Sequence, residues 1–240
     1  MVNTLEGWKE VCIGIFALRE LGVSAFPNAW DTRHLPRPHM SVAFAALEEK
    51  DIFRRRWTSW SHRLKIRDRL ETMSVLGDGA HWIWEASRLV FGRTKENLDI
   101  YHALENLSTC GKELFLAGST EYAARQEKTK VLLLEEGYEG ISVFLAQEKA
   151  RVKEDAAKLK AVERVAGYLD WHKERLNYRE RLSEGRAIGS GQVEGACKNL
   201  IGARLKQTGA RWRKDRINKM EVLCSLFYAE LWRDYWKQAK

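Results

Sequence analysis

Met73-Ser74-Val75-Leu76-Gly77-Asp78-Gly79-Ala80 is a short apolar run that ends in an acid held between two glycines. A run of this length, bounded by turn residues, reads as a strand over 73–76. Residues 82–91 (WIWEASRLVF) follow as a helix stopped by Gly92. Working upstream, 8–18 (WKEVCIGIFAL) is rich in β-branched and aromatic residues and reads as a strand. All three prolines fall in 26–38, a loop, and 40–47 (MSVAFAAL) suits a second strand or a helix start. Residues 48–64 form a helix with Ile52, Phe53, Trp57, Trp60 and Leu64 as its apolar face. Downstream, 97–101 (NLDIY) reads as another short strand. The alternation of strand and helix over 8–101 indicates an α/β fold.

Past His102 the character changes. Residues 104–182 hold no β-rich run, and 121–137, 141–155 and 156–182 are Ala/Leu/Glu/Lys-rich stretches that read as a helical block. A loop over 183–191 leads to a helix over 193–206 that ends near Gly209. The last amphipathic helix spans 217–237 and carries Met220, Leu223, Phe227, Leu231, Tyr235 and Trp236.

Apolar residues make up 45% of the 240, enough for a core, which excludes a disordered chain. Forty-one Lys and Arg against 33 Asp and Glu give a net charge of +8, so the expected partner is an anionic polymer, nucleic acid first. The plainer account is a solvated basic surface. The four cysteines, at 12, 110, 197 and 224, form no CxxC pair, which argues against a zinc knuckle and for a reducing compartment. No apolar run approaches the ~20 residues of a membrane span, and the N-terminus lacks a signal peptide's features, so the expectation is a cytoplasmic, nucleoid-associated chain with no membrane partner.

Three sites carry chemical potential. Asp78 sits at the carboxyl end of a strand, where ligands bind in open α/β folds, although an Asp there can also simply cap the next helix. Asp99 and His102 form Asp-x-x-His just after a strand. Ile188-Gly189-Ser190-Gly191-Gln192-Val193-Glu194-Gly195-Ala196-Cys197-Lys198 places Glu194 in the first turn of a helix, with Ser190 able to cap it. Capping alone leaves glycines 189, 191 and 195 unexplained. It also leaves Lys198, Arg204, Lys206, Arg211, Arg213 and Lys214, which suit phosphate binding. Ser190 is not in a G-x-S-x-G elbow, so a serine hydrolase has only the Gly-Ser-Gly triplet behind it. Neither a P-loop nor HExxH is present.

Gly77-Asp78-Gly79-Ala80-His81-Trp82-Ile83-Trp84, Asp99-Ile100-Tyr101-His102-Ala103-Leu104-Glu105-Asn106-Leu107 and residues 188–213 (IGSGQVEGACKNLIGARLKQTGARWR) together resemble the C-terminal part of a prokaryotic insertion-sequence transposase, of the Kra-type group related to Mutator-like elements. The similarity runs from about Gly7 to Trp236, and Trp8-Lys9-Glu10-Val11 is similar to the family's strand just after its first catalytic acid. The resemblance implies an RNase H-like core over 1–103 and 186–214, a helical insertion over 104–185 and a C-terminal helix over 215–240. It also implies an Asp-Asp-Glu acid set holding two Mg²⁺ (or Mn²⁺) ions for phosphoryl transfer on transposon-end and target DNA, with a homo-oligomer as a further expectation. Asp78 matches the second acid and Glu194 the third, both as metal ligands. Asp99 and His102 match a supporting element that shapes the site. No Asp occurs before Asp31, which lies in the proline loop. The resemblance therefore implies a truncated transposase without the core's first strand and first acid, inactive alone, with a sheet edge left unpaired. The alternative is a non-catalytic basic DNA-binding protein of the same descent.

Overall fold

In the computed structural model, residues 1–69, 72–229 and 231–238 are described. Strands β1 (Val2–Thr4) and β2 (Gly7–Lys9) pair antiparallel. Strand β3 (Cys12–Leu18) pairs antiparallel with β4 (Met40–Ala46) along its full length, Cys12 opposite Ala46 and Leu18 opposite Met40. The single strand expected over 8–18 is thus two, because the chain changes partner at Glu10 and Val11. Residues 40–47, which suited either strand or helix, are a strand.

The β3–β4 ribbon is covered on both faces. Cys12, Phe44 and Ala46 join one core with Phe53 and Trp57 of helix α1 (Lys50–Arg63). Ala43 and Ala45, with Ile13 and Ile15, join a second core against Leu200, Ile201, Leu205 and Ile217. Large residues sit over small ones across the pair: the Phe44 ring lies where a Cβ on Gly14 would approach to 2.7 Å. Ile52 was expected on the buried face of α1 but is 47% exposed, because the face that packs is Phe53, Trp57 and Ser61, four residues apart.

Strand β5 (Ser74–Gly77), helix α2 (His81–Phe91) and strand β6 (Lys95–Leu98) form a parallel β-α-β unit, Gly77 opposite Leu98. Gly92 ends α2 with φ +77, a conformation that favours glycine. The strand expected over 97–101 stops at Leu98. Asp99 accepts a hydrogen bond from Tyr101 N and caps α3 (Ile100–Leu114), so Ile100 and Tyr101 are helical despite their β propensity.

The helical block follows as α4 (Thr120–Arg151), α5 (Ala156–Trp171) and α6 (Tyr178–Ser183). Arg125 and Glu148, 23 residues apart on α4, are bonded Nε to Oε1 at 2.7 Å. On a straight helix they would stand about 35 Å apart. Helix α4 therefore folds back on itself at Gly137, whose φ 61 and ψ −134 are non-helical, in agreement with separate helices over 121–137 and 141–155. The 156–182 stretch is α5 and α6 with a short 3₁₀ turn, Lys173–Arg175, between them.

Helix α7 (Gly191–Ala196), a π-helical turn (Cys197–Gly202) and α8 (Ala203–Leu205) make one run where a single helix was expected. The helix expected over 217–237 is two, α9 (Lys214–Tyr228) and α10 (Trp232–Gln238), with position 230 between them outside the described residues. Its expected apolar face is covered only at the start: Met220 packs against the second core, while Phe227 is 66% exposed and Trp236 46%. The residues of α9 that are buried are Ile217 and Glu221. The molecule is thus a mixed α/β protein, mostly helical, whose strands form three separate pairs rather than one sheet.

A Cβ at Gly137 would lie 2.6 Å from the Leu176 carbonyl oxygen. Gly137→Ala should cost on the order of 2–4 kcal/mol through strain and clash, read as a Tm fall of roughly 5–10 °C by calorimetry. Glu221 is fully buried, and neither carboxylate oxygen has a hydrogen-bond partner among the described residues. Burial pushes its pKa up to about 8, with Arg56 opposing and Glu48 adding to the rise. The unfolded chain releases that proton near 4.5, so the contribution of Glu221 to stability is fully present below about 4.5 and is lost as pH rises towards 8. Glu221→Gln should flatten that fall and gain on the order of 2 kcal/mol at pH 8, measured by urea unfolding at pH 5 and pH 8.

Candidate functional site

Asp78 and Asp99 follow the paired residues Gly77 and Leu98, so they stand side by side at the carboxyl ends of neighbouring parallel strands. Their environments differ. Asp78 is exposed, and its Oδ1 accepts from Ala80 N at 3.0 Å, a turn bond that stops short of α2, whose N-cap is Ala80 with no side-chain cap, so Asp78 does not cap the helix. Asp99 is 1% exposed and fully engaged. Its Oδ1 accepts from Tyr101 N at 2.7 Å. Its Oδ2 accepts from Ser190 N at 2.9 Å, and also from Ser190 Oγ. Ile100 N donates to Ile188 O at 3.0 Å. The start of α3 thus pins the 188–190 segment, and through it the start of α7, beside strand β6.

Glu194 lies on α7, exposed, with no hydrogen bond or ion pair from its carboxylate among the described residues. Asp78, His102 and Glu194 open onto one cavity of about 1250 Å³. His102 Nδ1 is 3.6 Å from Glu105. Asp99 acts from behind, holding the segment that carries Glu194. No three His, Cys, Asp or Glu side chains among the described residues come together as a metal site would need. Ser190 has its hydroxyl bound to Asp99 and no histidine bonded to it, so a serine nucleophile finds no base here.

The glycines around these acids serve packing more than ligand approach. A Cβ on Gly77 would stand 3.0 Å from Ile83 Cγ2 and Trp84 Cη2. A Cβ on Gly79 would stand 2.4 Å from the Tyr168 hydroxyl, and one on Gly189 would stand 2.8 Å from the Tyr101 ring. Gly191 and Gly195 face open space, so no such clash requires them.

Sequence reasoning missed the residues behind Asp78. Tyr168, His172 and Tyr178 project from the end of the helical block, and the Tyr168 hydroxyl, both His172 nitrogens and the Tyr178 hydroxyl are buried without hydrogen-bond partners among the described residues. Burial pulls the His172 pKa down to about 4, helped by the charge of Arg175, so this imidazole is neutral at pH 7. Burial pushes Tyr168 up, and the charges of Asp78 and Asp99 add to it. Only their tertiary position marks them; nothing in the spacing of 168, 172 and 178 separates them from core residues.

Of the six basic residues expected to meet phosphate, all are exposed, but two are already paired. Lys214 is ion-paired with Glu6, and Arg213 Nε lies 3.3 Å from Asp215. Lys198, Arg204, Lys206 and Arg211 have no ion pair among the described residues. Between Arg211 and Arg213, Trp212 is tied to β1, its N donating to Asn3 O at 3.1 Å and its Nε1 to Leu205 O at 3.0 Å.

Models of known protein families, curated proteins and solved structures all return no match to this chain.

Asp99→Ala removes an α3 cap and the anchor of the 188–190 segment together. It should destabilise the protein by about 2–3 kcal/mol and raise hydrogen exchange at residues 190–194, whereas Ser190→Ala should cost about 1 kcal/mol and leave the Tyr101 amide protected.

Proposed function

We propose that this chain is a transposase-derived, DNA-binding protein with an RNase H-like core, which by itself binds DNA without cutting or joining it. One observation carries the reading: Asp78 and Glu194, separated in sequence by the whole helical block, open onto the same cavity. Two acids matched by family resemblance thereby border one cavity, and Asp99 is bonded to Ser190 in the segment that leads to Glu194.

In such proteins two Mg²⁺ ions held by carboxylates would supply the electrostatic stabilisation for strand cleavage. Asp78 and Glu194 are oxygen donors of the right type for Mg²⁺ or Mn²⁺. A third donor does not join them, since no three-residue group among the described residues is suited to a metal. The donor set therefore does not fit a complete two-metal centre. What the chain's own residues can do is bind: Lys198, Arg204, Lys206 and Arg211 offer exposed, unpaired cations on the run of helix that carries Glu194, and on the segment just after it. The alternative, a basic DNA-binding protein with no latent catalysis, is favoured by the same incomplete acid set.

Duplex DNA binding should weaken linearly in log–log salt plots with a slope of about −3 to −4, as four phosphate contacts require. Changing Lys198, Arg204, Lys206 and Arg211 together to Ala should remove most of that slope in fluorescence anisotropy between 50 and 300 mM KCl. Binding indifferent to salt, or to the fourfold change, would sink the DNA reading. In Mn²⁺ nicking assays the chain should match Asp78→Ala and Glu194→Ala; cleavage lost in both variants would instead establish a working acid pair.

A further inference from the structure

Four aromatic rings stand in contact on the outside of the last two helices. Phe227 lies near the end of α9. Trp232, Tyr235 and Trp236 sit on α10 at spacings of three and four, which puts them on one face. The Leu231 amide donates to Leu226 O at 2.9 Å, so α10 starts where α9 ends and its rings continue from Phe227. Ring centroids are 6.4 Å apart from Phe227 to Trp232, 5.6 Å from Trp232 to Trp236 and 5.1 Å from Trp236 to Tyr235, each pair edge to face. All four rings are exposed. Tryptophan is highly buried on average, so two of them on one exposed ridge call for a partner.

We propose that this ridge stacks the unpaired bases of single-stranded DNA, and that it continues the cationic run on which the proposed DNA binding rests. Helix α9 lies against that run: Met220, Cys224 and Tyr228 pack on the second core with Leu200, Ile201 and Leu205. Burial raises the Cys224 pKa and the charge of Arg204 opposes it, which places that guanidinium beside α9, about one turn before Phe227. Lys219 on α9 and Arg233 on α10 are exposed, without an ion pair among the described residues.

Charge and ring chemistry together select the occupant. Rings flanked by unpaired cations match a strand whose flat bases alternate with phosphates. A duplex keeps its base faces within its own stack, so it can meet the cations but not the rings. A second copy would bring the same cations against these, and like charges repel across such an interface. Among the described side chains of α9 and α10, the exposed carboxylate is Asp215, which lies at the far end of α9 and is already paired with Arg213 and Arg216. Stacking of this kind tolerates any sequence, because every base has a flat face to offer.

The proposal rests on the DNA reading, and the test separates the two. Fluorescence anisotropy compares the whole chain on an oligothymidylate of about 16 nucleotides, on an abasic strand of the same length and on a duplex of that length. Oligothymidylate should bind at least about tenfold more tightly than the abasic strand, since one stacked base is worth roughly that much. Trp232→Ala with Trp236→Ala should remove this margin and leave the salt slope unchanged, because phosphate contacts set the slope. Trp232→Phe with Trp236→Phe should keep most of the margin. If the alanine variant fails to fold, the two strands on the unaltered chain still decide. Equal binding of both strands with the salt slope intact would overturn the stacking and leave the DNA reading standing, whereas no salt-dependent binding to any of the three would end both. A margin that survives the alanine change would place the stacking elsewhere and likewise overturn the proposal. So would a mass that doubles as protein concentration rises and stays single in the alanine variant, which would make a second copy the occupant.

Discussion

The Asp99 carboxylate is the joint on which the site depends. Burial of an ionised carboxylate is costly unless its oxygens are bonded, and at Asp99 one accepts from the α3 backbone while the other accepts twice from Ser190. Asp99 N in turn donates to Gly77 O at 2.8 Å, which extends the β5–β6 ladder by one residue. A single residue therefore links the strand that ends at Asp78, the first helix of the helical block, and the segment that introduces Glu194. The other hold on the Glu194 helix run is the second core, where Ala196, Leu200 and Ile201 are buried against Ala43 and Ala45.

Charge count and charge surface are different things in this molecule. Arg125 is buried against Glu148, Arg56 is bonded to Glu48, and Arg175 lies between Glu96 and the Trp84 and Trp171 rings. Arg181 is enclosed as well. These cations hold the fold together and present nothing to an anionic polymer. The net charge of +8 points to the class of partner, while only the cations left exposed and unpaired can say where it would meet the chain.

Much of the architecture was legible in the sequence, and what was lost has physical causes. Gly92, Gly137 and Asp155 punctuate helices by local chemistry, so the breaks near them could be read directly. β6 ends before Ile100 and Tyr101, which favour strands, because Asp99 caps α3 through Tyr101 N, its other oxygen being held by Ser190, 91 residues away. Of the neighbours that fix the glycines beside Asp78, Trp84 comes from the next helix, whereas Tyr168 comes from a helix that only the fold brings near. Helical periodicity identified an apolar face over 217–237, but periodicity cannot say whether anything covers that face. Strand pairing is likewise a long-range outcome. Asp78 and Glu194 were singled out from local glycine-and-acid patterns; their meeting at one cavity was not readable from those patterns.

The bond from Ile100 N to Ile188 O has a consequence for how such a chain can vary. It brings the two ends of the helical block within 3.0 Å of each other. To the rest of the molecule, everything between those two residues is a closed loop that leaves and returns at one point. Loop-closure cost grows only logarithmically, about 0.6 kcal/mol for each doubling of length. Helices could therefore be added to the block or removed from it, or the block exchanged for another of different size, while the two acids keep their places, provided the residues that back the Asp78 turn are supplied anew.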